Sequence, residues 1–194
     1  MSETKNIMIV GVGGQGTLLA SKILGRILLE NGYEVKVSEV HGMSQRGGSV
    51  VTYVRYGNNV YSPIVDSGEA DFILSFEILE AARWLPYLKK GGILITNSQQ
   101  INPMPVISGV MEYPSNLSEK LLDTGEDVRI FDALSKAEEA GSSKAVNLVL
   151  LGYLSNFFQF PVDCWEQTIR TGVPAKHIDM NLRAFHLGRD EFHN

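Results

Sequence analysis

The chain has 194 residues with 44% hydrophobic and 20% charged side chains, an ordinary globular composition of a size that buries one sizeable core. A formal net charge of -5 and the lack of any basic run exclude a general nucleic-acid binder. One cysteine, Cys164, excludes an internal disulfide and an iron–sulfur cluster on four thiolates, and the longest apolar runs fall short of a membrane span.

The first element is a strand breaking into a glycine turn, Ile-Met-Ile-Val-Gly-Val-Gly-Gly-Gln-Gly over residues 7–16. Gly11, Gly13 and Gly16 hold G-x-G-x-x-G spacing, with Gly14 as a fourth glycine. Such spacing permits a tight turn, backbone approach to a ligand, and close packing of helix on strand. The helix that follows aims unpaired N–H groups and the positive end of its dipole at the crevice, which favours a phosphate or carboxylate. Gly11, Gly13, Gly14, Gln15 and Gly16 are therefore expected to line an anion or coenzyme-binding crevice; the structural alternative is a turn built only for packing.

Leu18, Leu19, Ile23, Leu24, Ile27 and Leu28 recur at helical spacing up to Asn31-Gly32. Residues 34–40 read as a second strand, so the first forty residues predict a right-handed strand–helix–strand unit with a parallel pair. Glu39 falls near the place of a ribose-binding acid in a dinucleotide fold. The glycine-rich segment His41-Gly42-Met43-Ser44-Gln45-Arg46-Gly47-Gly48 then replaces the expected next helix. Its imidazole, hydroxyl, amide and guanidinium cluster at the carboxyl end of a predicted strand, where such sheets bind ligands. His41, Ser44, Gln45 and Arg46 are the residues expected to complete an active site. A hydrogen-bonded loop histidine and a structural ion pair of Arg46 with Glu39 or Glu77 are the competing readings.

Residues 49–56 and 60–65 read as a hairpin around Gly57-Asn58-Asn59, with Pro63 at a strand end. Next come a strand over 71–75, a helix over 77–88 with Pro86 near its end, a turn at Gly91-Gly92 and a strand over 93–96. A loop over 97–108, a short strand over 109–113, and a helix over 115–122 capped by Ser115 follow. Residues 127–131 form the last strand and lead through Asp132 into a helix to Ala140. Three helices close the chain: 145–158, apolar nearly all round; 162–171, amphipathic; and 175–188. Lys144 reads as a solvated lysine, with the covering of an anion at a helix start as the alternative, Cys164 as a small core residue, and Asn147 and Asn181 as polar groups in apolar helical surroundings. Together these elements predict a three-layer α/β/α Rossmann-like sandwich, with a mainly parallel sheet, a β-hairpin insertion and C-terminal helices.

The two glycine loops carry a resemblance. Gly11-Val12-Gly13-Gly14-Gln15-Gly16 and the segment from Glu39 to Gly48 resemble the gamma-type component of the 2-oxoacid:ferredoxin oxidoreductases, most closely the indolepyruvate type. Further matching features are Tyr61-Ser62-Pro63, Glu77, Arg83, Lys90-Gly91-Gly92, Asn97, Asn147, Leu151-Gly152 and residues 181–188, so the likeness runs almost end to end. It implies a single gamma-type catalytic domain over 1–194, acting in coenzyme A-dependent oxidative decarboxylation of an aryl 2-oxoacid with electrons passed to ferredoxin. Thiamine diphosphate and the iron–sulfur clusters would then sit on a larger partner subunit, since this chain lacks a Gly-Asp-Gly with paired asparagines. No cofactor or metal is expected on this chain, and coenzyme A enters as cosubstrate. The expected protein is cytoplasmic, inactive alone, and a partner of neither nucleic acid nor membrane. The alternatives are an NAD(P)-dependent Rossmann dehydrogenase using the glycine turn, and a purely structural interaction module.

Overall fold

A computed structural model describes residues 4–41 and 48–193, with the His41 side chain outside the description. Six strands, β1 (Lys5–Val12), β2 (Glu34–His41), β3 (Ser49–Gly57), β4 (Ala70–Ser75), β5 (Leu88–Asn97) and β6 (Asp127–Phe131), form one sheet in the order β2-β3-β1-β4-β5-β6. β3 alone runs against the others, being antiparallel to both β2 and β1, whereas β1, β4, β5 and β6 pair in parallel. The helices are α1 (Thr17–Glu30), α2 (Ile78–Trp84), α3 (Met104–Ile107), α4 (Leu117–Leu122), α5 (Ala133–Ala140), α6 (Val146–Ser155), α7 (Val162–Gly172) and α8 (Ile178–Asp190).

β1 shows how the layers arise. Ile7 and Ile9 point into one core with α1, α5, α6, α7 and α8, while Met8 and Val10 point into a second with α2 and α4. Alternation along a strand sends successive side chains to opposite faces, so a strand apolar throughout needs a cover on both. α6 is buried at every position and fills the middle of the thicker layer, which explains its lack of a polar face. No helix among the described residues is long and apolar enough to cross a membrane.

The three-layer mixed fold stands as expected, but several elements differ. β1 and β2 point the same way without pairing, because β3 inserts between them; the strand–helix–strand unit is thus a split one. The hairpin partner of β3 is the preceding strand β2, and residues 60–65 form no strand. Side chains replace the ladder there: Arg55 donates to the carbonyls of Ser62 (3.0 Å) and Ile64 (2.8 Å), and Glu34 accepts from Val60 N (3.1 Å). Pro63 could not have donated in any case. Gly91 and Gly92 lie within β5 at a register shift against β4. Residues 109–113 turn instead of extending, with Val110 N and Met111 N both donating to the Pro105 carbonyl. The predicted 77–88 helix is α2 followed by a 3-10 turn, Leu85–Tyr87. The cap of α4 is Asn116 in a left-handed conformation, not Ser115.

Asp132 caps α5 as its position promised, accepting from Ser135 N at 2.9 Å. The Ser135 hydroxyl and amide hold its carboxyl below the usual value. A depressed folded-state pKa adds stability above the unfolded value and loses it as pH falls through the folded one. Asp132→Ala should therefore cost about 1 kcal/mol at neutral pH, with the deficit shrinking in acid. Urea denaturation at pH 7 and in mild acid measures both, and an undiminished deficit would contradict the charge assignment.

Candidate functional site

At the carboxyl end of β1 the chain enters the glycine turn and leaves it as α1. Gly14 (φ 101°) and Gly16 (φ 85°) hold left-handed conformations that a side chain disfavours. A Cβ on Gly11 would sit 2.9 Å from both Gln15 Oε1 and Phe76 Cβ, whereas one on Gly14 would meet nothing within 4 Å. Gly11 is thus required by packing, and Gly14 by conformation at an open face. Gly13 N donates to the Gly48 carbonyl (2.9 Å), tying the turn to the first described residue beyond the 42–47 segment. At the start of α1, Leu19 N donates to the Gly16 carbonyl at 3.1 Å, whereas Thr17 N and Leu18 N have no partner among the described residues.

Gln15 folds back over the turn. Its Oε1 accepts from Val12 N at 2.8 Å and its Nε2 donates to the Phe76 carbonyl at 3.1 Å, so the side chain braces the turn. Asn147, buried at the start of α6, donates to the Gly16 carbonyl at 3.3 Å and accepts from Leu148 N. These two amides fix the turn to β4 and to α6.

The turn opens on a cavity of about 540 Å³ lined by Gly14, Gln15, Gly16, Gln99, Lys144 and Asn147, among others. Lys144 comes from the 3-10 turn Ser143–Ala145 leading into α6. It pairs with no carboxylate among the described residues, and the cavity has no acidic lining residue. Of the two readings of Lys144, the fold favours the cation over an anion site, since it brings the side chain to the cavity of the glycine turn. Gln99 was not singled out at all; its place just beyond β5, at the carboxyl edge, was the available signal.

A second cavity, about 500 Å³, lies on the other side of Val12 and includes Ser49, Glu77, Glu80, Arg83, Met104 and Met111 in its lining. Its buried carboxylates are fully engaged. Glu77 accepts from Tyr113 Oη, from Ile101 N at 3.0 Å and from Glu80 N at 2.9 Å. Burial first, then the Glu77 carboxylate, pushes the Tyr113 phenol up. Glu80 accepts from Ser49 Oγ and Trp84 Nε1 and pairs with Arg83 at 3.1 Å. Glu77 therefore has neutral donors enough without a cation. A larger groove of about 750 Å³ runs between α1 and the edge strand β2, off the carboxyl edge.

Gly42 to Gly47, with Ser44, Gln45 and Arg46, lie outside the described residues, as does the His41 side chain. Glu39 is on β2, separated from β1 by β3, and faces Ser21 of α1 at 3.5 Å. Two strand spacings, roughly 10 Å, part it from the glycine turn, which removes the ribose-binding geometry of a dinucleotide fold. Cys164 is half-buried, and no group of three His, Cys, Asp or Glu among the described residues could hold a metal ion. With one cysteine the chain cannot supply the four thiolates of an iron–sulfur cluster.

The chain is 49% identical over 188 residues to the indolepyruvate oxidoreductase subunit IorB of Thermococcus kodakarensis, covering 94% of this chain and 93% of that one. Its fold matches the gamma subunit of a keto/oxoacid ferredoxin oxidoreductase from Geobacter sulfurreducens at a TM-score of 0.72 and 21% identity, covering 97% and 98% of the two chains. It also matches a 2-oxoglutarate:ferredoxin oxidoreductase from Magnetococcus marinus at a TM-score of 0.74 and 18% identity. There all of this chain corresponds to 32% of a longer one. The family described as pyruvate ferredoxin/flavodoxin oxidoreductase matches residues 6–191, from the first strand to the last turn of helix. On that near-complete match, and with half its residues shared with one member, the chain belongs to the pyruvate ferredoxin/flavodoxin oxidoreductase family.

Proposed function

We propose that this chain is the non-cofactor subunit of an aryl-2-oxoacid:ferredoxin oxidoreductase that acts on an indolepyruvate-type acid. The 2-oxoacid loses carbon dioxide, its acyl carbon joins the thiol of coenzyme A, and the electrons released pass to ferredoxin. Thiamine diphosphate and the clusters belong to a larger partner subunit, and residues 1–194 serve as one gamma-type domain, inactive alone, in the cytoplasm. The observation that carries this reading is near full-length identity of 49% to an indolepyruvate oxidoreductase subunit, in a chain with one cysteine. The acid-free cavity at the glycine turn supports a part in binding an anionic group of coenzyme A or of the oxoacid. A nicotinamide dehydrogenase is disfavoured by the position of Glu39.

Arg46 and Lys144 supply the side-chain cations of this proposal. Either change to alanine should raise the KM for coenzyme A or the 2-oxoacid in the assembled complex by about one to two decades. That is the value of a charge-assisted contact of roughly 1.5–3 kcal/mol. Thiamine diphosphate and cluster content should stay unchanged. The test is ferredoxin reduction by the co-purified complex, varying the two substrates separately. Wild-type constants for both variants would remove the anion-binding role, and tight NAD or NADP binding by the isolated chain would overturn the subunit reading.

A further inference from the structure

Three carboxamides meet at the ends of β1, β4 and β5. Asn97 Nδ2 donates to the Phe76 carbonyl and to Gln99 Oε1, both at 3.3 Å. Gln15 Nε2 donates to the same carbonyl at 3.1 Å and reaches Gln99 Oε1 at 3.5 Å. The Gln99 backbone is also held, its carbonyl accepting from Ile78 N at 3.1 Å. Asn97 in turn is fixed because its Oδ1 accepts from Ala133 N, the first amide of α5, at 3.1 Å.

A carboxamide is planar, so holding its oxygen orients its NH2 group. Gln99 accepts from both neighbours through its oxygen, and its NH2 has no acceptor among the described residues. The half-buried side chain lines the cavity of the glycine turn, together with Lys144. The donors there are the Lys144 ammonium, the Gln99 NH2 and the Gly14 and Gly16 amides, with no carboxylate in the lining. The cavity across Val12 is acidic on balance, with Glu77, Glu80 and Glu112 in its wall beside Arg83, which is itself paired with Glu80. A ligand group that only accepts hydrogen bonds matches the first cavity and is repelled by the second.

We infer that Gln99 is an anion-recognition residue, donating its NH2 to an anionic ligand oxygen in the glycine-turn cavity, with Gln15 and Asn97 as positioning residues that set its orientation. This rests on the proposed reading for the source of the anion, a coenzyme A phosphate or the 2-oxoacid carboxylate. The chemistry required of either is the same: an oxyanion facing a preset donor.

Gln99→Glu separates recognition from support. The carboxylate keeps an oxygen for Gln15 and Asn97 but places a second, negative oxygen where the donor was. In the assembled complex it should raise the KM for one anionic substrate about ten- to a hundredfold with kcat unchanged. The defect should shrink as pH falls toward the carboxyl range, where the new group is protonated. Gln99→Ala should raise the same KM by a smaller factor, about three- to tenfold. Whichever constant moves identifies the anion. Calorimetric titration of the isolated chain with coenzyme A and with phenylpyruvate carries the test without turnover: a matching loss of affinity in Gln99→Glu supports the inference. Wild-type KM and affinity for both probes in Gln99→Glu overturn it, as does a loss confined to thermal stability in Gln99→Ala. A wild-type complex that fails to oxidise any aryl 2-oxoacid defeats the proposed function instead, while the titration still decides the role of Gln99.

Discussion

Gly188→Leu should leave a chain that does not reach the native fold. A Cβ at position 188 would lie 1.8 Å from the Val149 carbonyl oxygen, and one at Gly152 would lie 2.0 Å from the Phe185 carbonyl oxygen. α6 and α8 therefore cross backbone to backbone through reciprocal glycines. Overpacking against side chains costs typically about 1–3 kcal/mol because rotamers can shift. Here the obstacle is main chain within two helices, so the helices must separate, opening the core around Leu148, Trp165 and Phe185. The expected cost is most of a stability that for a domain of this kind is about 5–15 kcal/mol. Soluble yield and near-ultraviolet circular dichroism measure it; a cooperative melt near that of the wild type would refute the close crossing. Gly25→Ala is the control, since its Cβ would meet Val37 at an ordinary 3.5 Å. That change, in the interior of α1, should be neutral or stabilise by up to about 1 kcal/mol.

Gly16→Val should damage stability and ligand binding together. Its φ of 85° costs an L-residue roughly 1–2 kcal/mol, and more when the side chain is β-branched. The new Cβ would stand 2.8 Å from Asn147 Nδ2, displacing a buried amide from the Gly16 carbonyl. Leaving that amide unpaired adds about 1–3 kcal/mol, for a total loss of roughly 3 kcal/mol by urea denaturation. The start of α1 and its free amides move with it, so affinity for the anionic substrate should fall by at least about tenfold. Asn147→Ala distinguishes the two parts. It removes the tether but not the turn conformation, and should lower stability while retaining most of the affinity. Equal loss of affinity in both variants would show that the tether, not the left-handed turn, shapes the crevice.

Much of this protein was legible from local pattern. Strand–turn–helix at residues 7–30, the cap at Asp132 and the all-round apolar α6 follow from spacing, cap chemistry and periodicity, which act over a few residues. The resemblance motifs also find physical work: Gly152 and Gly188 let two helices touch, Asn97 and Asn147 tether loops, and Glu77 caps α2. What local pattern could not decide was which strands pair. β3 enters between β1 and β2 because pairing depends on contacts far apart in sequence, and the same apolar run fits a parallel or an antiparallel neighbour. Residues 60–65 look like a strand by composition, yet Arg55 and Glu34 satisfy their backbone from other elements.

The site divides the same way. Composition and motif located the glycine turn and counted too few thiolates for a cluster, because those depend on residue type and short spacing alone. Only the tertiary structure placed Lys144 and Gln99 beside Gly14, from segments more than eighty residues away in sequence, and moved Glu39 two strands aside. Sheet order determines which loops share the carboxyl edge, and sheet order is a property of the packed core.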